Sequence, residues 1–266
     1  KMQFWFRIDP KAQWSDGRKV TADDVVATWD ILMDETILYP THQITYGKFE
    51  RPVAESMYIV SVKSKTKNFR NFLYFSASMY IMPSHYIKDL DGSDYLEKYQ
   101  FKMLPFSGAY ALYEDDIVVQ ESYTLTRRDD WWGKDLPQNR YRFNFDKIYY
   151  EYYRDLTVAR EAFKAHEFDI FFEYSSKGWA TAYKFPAVEK GIIIREEIPE
   201  RTSPGMQALV FNTRREIFGD ARVRQAIGLA FDFEWLNKNI FFNQYKRTTS
   251  FFQNMELASS GLPEGL

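Results

Sequence analysis

The opening of the chain contains two different patterns of apolar and polar positions. Apolar side chains at every second position from Met2 to Ile8 predict a half-buried strand. From Val25 to Met33 the apolar positions follow helical spacing, and Thr21 with Asp24 three residues later predicts the N-terminal capping box of that helix. Residues 34–52 follow neither pattern, so we expect them to be irregular.

Short strands and helices are predicted through the middle of the chain. A strand is predicted from Met57 to Val62, and the aromatic stretch from Phe69 to Tyr80 fits either a helix or a loop. The other elements predicted before residue 130 are short helices at 83–86 and 94–99, a turn into a strand at 106–110, and a strand at 123–127.

Residues 148–174 carry the pattern that indicates the fold class. Ile148–Tyr153 is predicted as a strand with aromatic side chains on both faces, which favours a central position in a sheet. Asp155 can cap a helix over 156–165, and Phe168–Tyr174 is predicted as the next strand. This order predicts a parallel strand–helix–strand unit and an α/β fold. The remaining predictions are strands at 192–198 and 206–211, a short helix at 179–183, a helix capped by Asp220, and a helix at 234–242.

Composition narrows the chemistry that the chain can carry. It has 266 residues, no cysteine, 3 His and a net charge of −2. The absence of cysteine excludes disulfides and thiol chemistry, and the balanced charge provides no basic surface for nucleic acid. Because His42, His85 and His166 lack the spacing of metal ligands, we expect no metal or other cofactor. The sequence also lacks a phosphate-binding glycine loop, a Gly-x-Ser-x-Gly nucleophile motif and an apolar run of about 20 residues.

Aromatic side chains are the remaining compositional signal, at 18% of the chain. Aromatic residues next to Gly or Ser at strand ends are typical of ligand clefts, although each such segment is equally well explained as an ordinary turn. Abundant aromatics and carboxylates also leave open a carbohydrate-binding protein or a carbohydrate-active enzyme. The candidate ligand-binding residues are Phe106, Ser107 and Gly108; Tyr174, Ser175, Ser176 and Trp179; and Met206 and Gln207.

Several motifs occur in the order found in one family. They are Trp14–Gly17 with Val20–Val25, Ser107–Tyr110, Arg128–Lys134, Phe145–Ile148, Ala162–Ile170, Phe211–Thr213 and Phe218–Ala226. This series resembles the family 5 extracellular solute-binding proteins, the oligopeptide and dipeptide binding components of ABC importers. Finer matches at 179–183, 231–235 and 256–265 resemble its Yej-type subgroup, which serves oligopeptide and microcin C import. One departure is His166, which stands where relatives usually carry a helix-ending Gly.

The resemblance implies a class II periplasmic binding protein fold of mixed sheets with flanking helices, of which this chain is an internal fragment. It implies three segments: 1–105 in the smaller lobe (domain II-like), 106–203 in an α/β domain I, and 204–266 at the start of the opposite lobe (domain III-like). It further implies a periplasmic or extracellular protein without enzymatic activity. Such a protein captures oligopeptides between two lobes and passes them to permease subunits in the inner membrane. The candidate residues would lie at the cleft, and a charged anchor for the peptide termini is expected outside the fragment.

Overall fold

The structure, a computed structural model, describes residues 1–199, 201–259 and 261. The chain divides into two compact units, Lys1–Ala159 and Arg160–Leu266. The division into segments 1–105, 106–203 and 204–266 stays a prediction. The strands are β1 (Met2–Arg7), β2 (Val53–Ser56), β3 (Ile59–Ser64), β4 (Tyr110–Ala111), β5 (Ile117–Val118), β6 (Ser122–Arg127) and β7 (Lys147–Glu151). The helices are α1 (Ala22–Met33), α2 (Pro40–Tyr46), α3 (Asn71–Ser76), α4 (Ser84–Ile87), α5 (Gly92–Tyr99), α6 (Leu156–Lys164), α7 (Ser176–Thr181), α8 (Pro186–Glu189), α9 (Glu216–Gly219), α10 (Ala221–Ala230) and α11 (Phe233–Asn239).

The first sheet of unit Lys1–Ala159 has the order β1-β3-β2, with antiparallel pairing throughout. Its inner face packs against α1 and α3 through a core of Val60, Val62, Val25 and Phe75. Burying each of these side chains contributes about 1.5–3 kcal/mol. The predicted opening strand and first helix are therefore confirmed, because their apolar positions form the two sides of this core.

Two early predictions differ from the structure. Residues 34–52, expected to be irregular, contain a 3-10 turn and α2, which begins at Pro40, a residue suited to the first helical position. The strand expected at 57–62 is shifted to 59–64, because Met57 lies in the turn of the β2–β3 hairpin.

The second sheet is built around β6. Strands β4 and β5 pair with one edge of β6 and β7 pairs with the other, all antiparallel. The prediction that Ile148–Tyr153 is central is wrong, since no further strand of the described chain lies beyond β7. The aromatic side chains that suggested burial on both faces, Tyr149, Tyr150 and Tyr152, are exposed.

The parallel strand–helix–strand unit is also absent from the described residues. Asp155 begins α6 as predicted, accepting hydrogen bonds from the N–H groups of Thr157 and Val158. The segment 168–174 after it lies outside the helices and strands and has no paired strand, and the same holds for 192–198 and 206–211. Alternation specifies a strand only where a partner supplies the backbone hydrogen bonds, and the described chain supplies none here. The predicted helix after Asp220 is confirmed as α10.

Candidate functional site

Phe106 and Ser107 lie in the wall of an apolar cleft in unit Lys1–Ala159. The cleft has a volume of about 580 Å³, which is within the range of small-ligand sites. Asp9 is the charged residue that lines it, and most of the wall is apolar. Further wall residues include Trp14, Val20, Met79, Met82, Leu104 and Trp132. The cleft can therefore accept an apolar group and has one carboxylate at its wall.

The loop that carries Ser107 is held by two indole N–H groups. Trp131 Nε1 and Trp132 Nε1 both donate to the Ser107 carbonyl oxygen, at 3.0 and 3.2 Å. The Ser107 hydroxyl accepts a second bond from Trp132 Nε1 at 3.0 Å and donates to the carbonyl of Gln13 at 3.2 Å. The hydroxyl is thus used to fix the loop.

The residues on either side of Ser107 are held by a backbone hydrogen bond and by the buried guanidinium of Arg128. The N–H of Ser15 donates to the Phe106 carbonyl at 2.8 Å, and Arg128 Nη1 donates to the Gly108 carbonyl at 3.3 Å. Arg128 also binds Asp130 through two bonds of 3.0 and 3.1 Å, and this pairing lowers the pKa of Asp130. The loop is therefore rigid, while the exposed Gly108 has open space where a Cβ would stand.

The second candidate segment begins helix α7 in unit Arg160–Leu266. Ser175 is the N-cap of α7, and its hydroxyl accepts from the N–H of Gly178 at 3.1 Å. Ser176 is the first residue of the helix, and Tyr174 just before it is 78% exposed. The aromatic ring of Tyr174 is thus presented to solvent from a capped helix start.

A buried cluster that was not anticipated from the sequence holds this segment in place. Glu173 accepts from Arg160 Nε at 2.8 Å, from the Tyr183 hydroxyl at 3.0 Å and from the N–H of Ser175 at 2.9 Å. Burial raises the pKa of Glu173, but these hydrogen bonds outweigh it, so the pKa is lowered overall. A Cβ at Gly178 would lie 2.5 Å from Glu173 Oε2, so the glycine is required by this close approach. The residues of the cluster come from separate segments, and no local motif marks them.

Trp179 is half-buried and contacts two charged residues of the segment 192–198. Its indole N–H donates to Glu197 Oε1 at 2.9 Å, and Arg195 Cζ lies 4.1 Å from the ring centroid. Its ring is also 6.1 Å from that of Tyr183. Met206 and Gln207 lie outside the helices and strands, and no side-chain hydrogen bond of Gln207 occurs within the described chain.

The nine predicted site residues therefore belong to both units. Phe106, Ser107 and Gly108 lie in Lys1–Ala159, and the other six lie in Arg160–Leu266. Among the residues described, no group of three or more His, Asp or Glu could hold a metal ion. No helix in the same part of the chain is long and apolar enough to cross a membrane.

Loops that are held by hydrogen bonds and present aromatic side chains, together with an apolar cleft, are features of a ligand-binding protein. Residues 1–265 match the family model of bacterial extracellular solute-binding proteins, family 5, for its middle part. The chain belongs to this family.

Two relatives and one solved structure agree with this assignment. A protein of Brucella suis, named a putative binding protein, is 41% identical over 261 residues, covering 97% of this chain and 41% of its own length. YejA of Agrobacterium fabrum, named a probable peptide-binding protein, is 36% identical, with 98% of this chain and 42% of its own length covered. The chain thus spans about two fifths of these relatives.

The solved structure is the oligopeptide-binding protein AppA from Bacillus subtilis in complex with a nonapeptide. It is 22% identical, with a TM-score of 0.62 over 91% of this chain and 44% of that chain. This similarity supports the mixed helix-and-sheet fold of class II binding proteins. The predicted parallel unit is corrected by the antiparallel pairing of the described strands.

Proposed function

We propose that the whole protein is the substrate-binding component of an ABC importer. It captures oligopeptides or peptide-like compounds such as microcin C between two lobes and delivers them, chemically unchanged, to permease subunits in the inner membrane. The observation that carries this proposal is the family match over residues 1–265. The peptide-binding name of one relative and the nonapeptide bound to AppA support peptides as the ligand class. The proposed location is the periplasm or the cell exterior.

The local geometry suits such a role. The cleft beside Phe106 can take an apolar side chain, and Tyr174 and Trp179 offer aromatic surface to side chains of different shapes. Because both loops are already fixed by hydrogen bonds, little conformational entropy is lost when a ligand binds. We propose that the nine candidate residues, each set within its own unit, contribute to peptide binding.

A carbohydrate-active enzyme gains no support from a family of solute-binding proteins. Sugar binding without catalysis is the alternative that the experiment must distinguish. Sugars would stack on the same aromatic side chains, so the test compares peptides with sugars directly.

Thermal unfolding of the full-length protein with a peptide library tests the proposal. A peptide at 100 times its Kd stabilises the folded state by about 2.7 kcal/mol, which raises Tm measurably. Oligosaccharides and a nickel–histidine complex are the comparison ligands. A Tm increase with these compounds and none with peptides would overturn the peptide assignment.

A further inference from the structure

Arg195 is held over the ring of Trp179 within unit Arg160–Leu266. The 4.1 Å separation between Arg195 Cζ and the ring centroid is within the range of a cation–π interaction. The two residues are 16 positions apart, whereas several other Arg–aromatic pairs of the chain join sequence neighbours, such as Arg140 with Tyr141. The contact therefore reflects the fold of the unit rather than local proximity.

The indole ring is itself fixed on several sides. The indole N–H donates to Glu197 Oε1 at 2.9 Å, and the backbone N–H of Trp179 donates to the Ser175 carbonyl at 2.8 Å in the first turn of α7. Arg195 and Glu197 are two residues apart in the segment 192–198, and both contact the indole of Trp179. Trp179 thus positions the guanidinium of Arg195 next to Tyr174–Trp179, the segment proposed to bind peptide.

Arg195 forms no ion pair with a carboxylate within the described part of the chain. Arg160 and Arg222, in the same unit, are paired with Glu173 and Asp220, whereas Arg195 shares its lack of an ion pair in the described residues with Arg247. A guanidinium that lies over an aromatic ring keeps the N–H groups at its edge available, and their planar fork matches the two oxygens of a carboxylate. Arg195 is exposed, so a ligand can reach that edge.

We infer that Arg195, held by Trp179, is an anchor for a carboxylate of the bound peptide. The carboxylate belongs either to the C-terminus of the peptide or to an acidic side chain. This inference rests on the proposed peptide-binding function and makes it more specific. This anchor belongs to the chain described, and it is separate from any charged anchor that the rest of the full-length protein supplies.

The test measures Kd of the full-length protein for alanine pentapeptides with and without C-terminal amidation. Both peptides of a second pair have an amidated C-terminus. One carries glutamate at its central position and the other carries glutamine there. Loss of the bound carboxylate should weaken binding to the wild type about tenfold to hundredfold. In the Arg195→Ala variant the two members of the affected pair should bind equally, and Arg195→Lys should restore part of the difference. The pair that responds identifies the source of the carboxylate.

Arg247→Ala is the matched control. Arg247 is also exposed in the same unit and lies 5.9 Å from the ring of Phe233, so its removal should leave both Kd ratios unchanged. Arg195→Gln, checked by circular dichroism, replaces the alanine variant if that variant does not fold. Equal Kd ratios in the wild type and in Arg195→Ala would overturn the inference while leaving peptide binding intact. If the wild type binds none of the four peptides, the inference is wrong. If it binds no peptide of the whole library, the proposed function is wrong as well.

Discussion

The carboxylate of Asp24 joins three separate parts of the first unit. Its Oδ2 atom accepts from the N–H of Thr21 at 2.7 Å and from the indole N–H of Trp14 at 3.2 Å. Its Oδ1 atom accepts from the N–H of Ser84 at 2.6 Å, at the start of α4. Asp24 is 1% exposed. The spacing between Trp14 and Asp24 in the opening motif is therefore explained by one buried hydrogen-bonding centre.

Replacing Asp24 by alanine should lower the free energy of unfolding by about 3 kcal/mol or more. The substitution leaves buried N–H donors without acceptors, and each such hydrogen bond to a charged group contributes about 1.5–3 kcal/mol. Urea denaturation of wild type and variant measures the loss. Asp23→Ala is the control, since Asp23 is the exposed neighbour and should change stability by less than about 1 kcal/mol. Similar losses in the two variants would contradict the role given to Asp24.

His166 ends helix α6 in a left-handed conformation, with φ of 65°. The N–H of Glu167 donates to the Ala162 carbonyl at 3.1 Å, and the N–H of His166 donates to the Phe163 carbonyl at 3.1 Å. These two bonds form the Schellman motif, in which glycine is the usual residue at the left-handed position. The family resemblance predicts that His166 stands where glycine usually ends this helix and that the cap is altered. The structure keeps the left-handed backbone and both cap hydrogen bonds.

The His166→Gly variant should be more stable than the wild type by about 1 kcal/mol, because glycine has no Cβ to strain a positive φ. Urea denaturation measures this gain as well. His166→Ala removes the imidazole but keeps the Cβ, so it should show no gain. Equal stabilities of the glycine and alanine variants would show that the left-handed backbone is not the source of the effect.

At the scale of elements, α6 and α7 are connected by the Glu173 cluster. Burial and the hydrogen bond to Glu173 raise the pKa of Tyr183 to about 12. A raised folded-state pKa gives stability that is complete below the unfolded value of about 10 and is lost as pH rises toward 12. The lowered pKa of Glu173 acts in the opposite direction, giving stability that is lost as pH falls below about 4.

Tyr183→Phe should therefore flatten the decline of stability between pH 10 and pH 12. Urea denaturation midpoints measured across this range for the wild type and the variant give the comparison. Tyr174→Phe is the matched control, because Tyr174 is exposed and does not contact Glu173 through a hydrogen bond. Parallel pH profiles for wild type and Tyr183→Phe would mean that the cluster does not hold the phenol proton.

The elements that were predictable from the sequence are those whose signal is local. The helix after Thr21 and the helix after Asp220 are each marked by a capping residue and an apolar face, and both are confirmed. Strand pairing depends on a distant partner, so the alternation at 168–174 did not reveal that the segment is unpaired. The candidate loops were proposed from aromatic residues beside Ser and Gly, and their role in ligand binding stays a prediction. The Glu173 cluster was missed because it joins three separate segments.

At the scale of the whole molecule, the second unit exposes apolar side chains that a folded protein usually covers. Ile170, Ile194 and Ile198 are 66%, 83% and 79% exposed, and they lie in segments without paired strands. Relatives of this chain are more than twice as long, since the chain spans 41–42% of their lengths. We expect the remainder of the full-length protein to cover these three isoleucine side chains.

The isolated 266-residue chain should therefore bind the dye ANS more strongly per molecule than the full-length protein does, because contiguous exposed apolar surface binds the dye. Limited proteolysis should cut residues 192–198 in the isolated chain and spare them in the full-length protein. Strand β3, whose Val60 and Val62 are 1% and 2% exposed, is the internal control and should resist cleavage in both. Equal dye binding and equal cleavage at 192–198 would show that these segments stay uncovered in the whole protein. The exposed isoleucines would then have to be explained as a surface that binds another molecule.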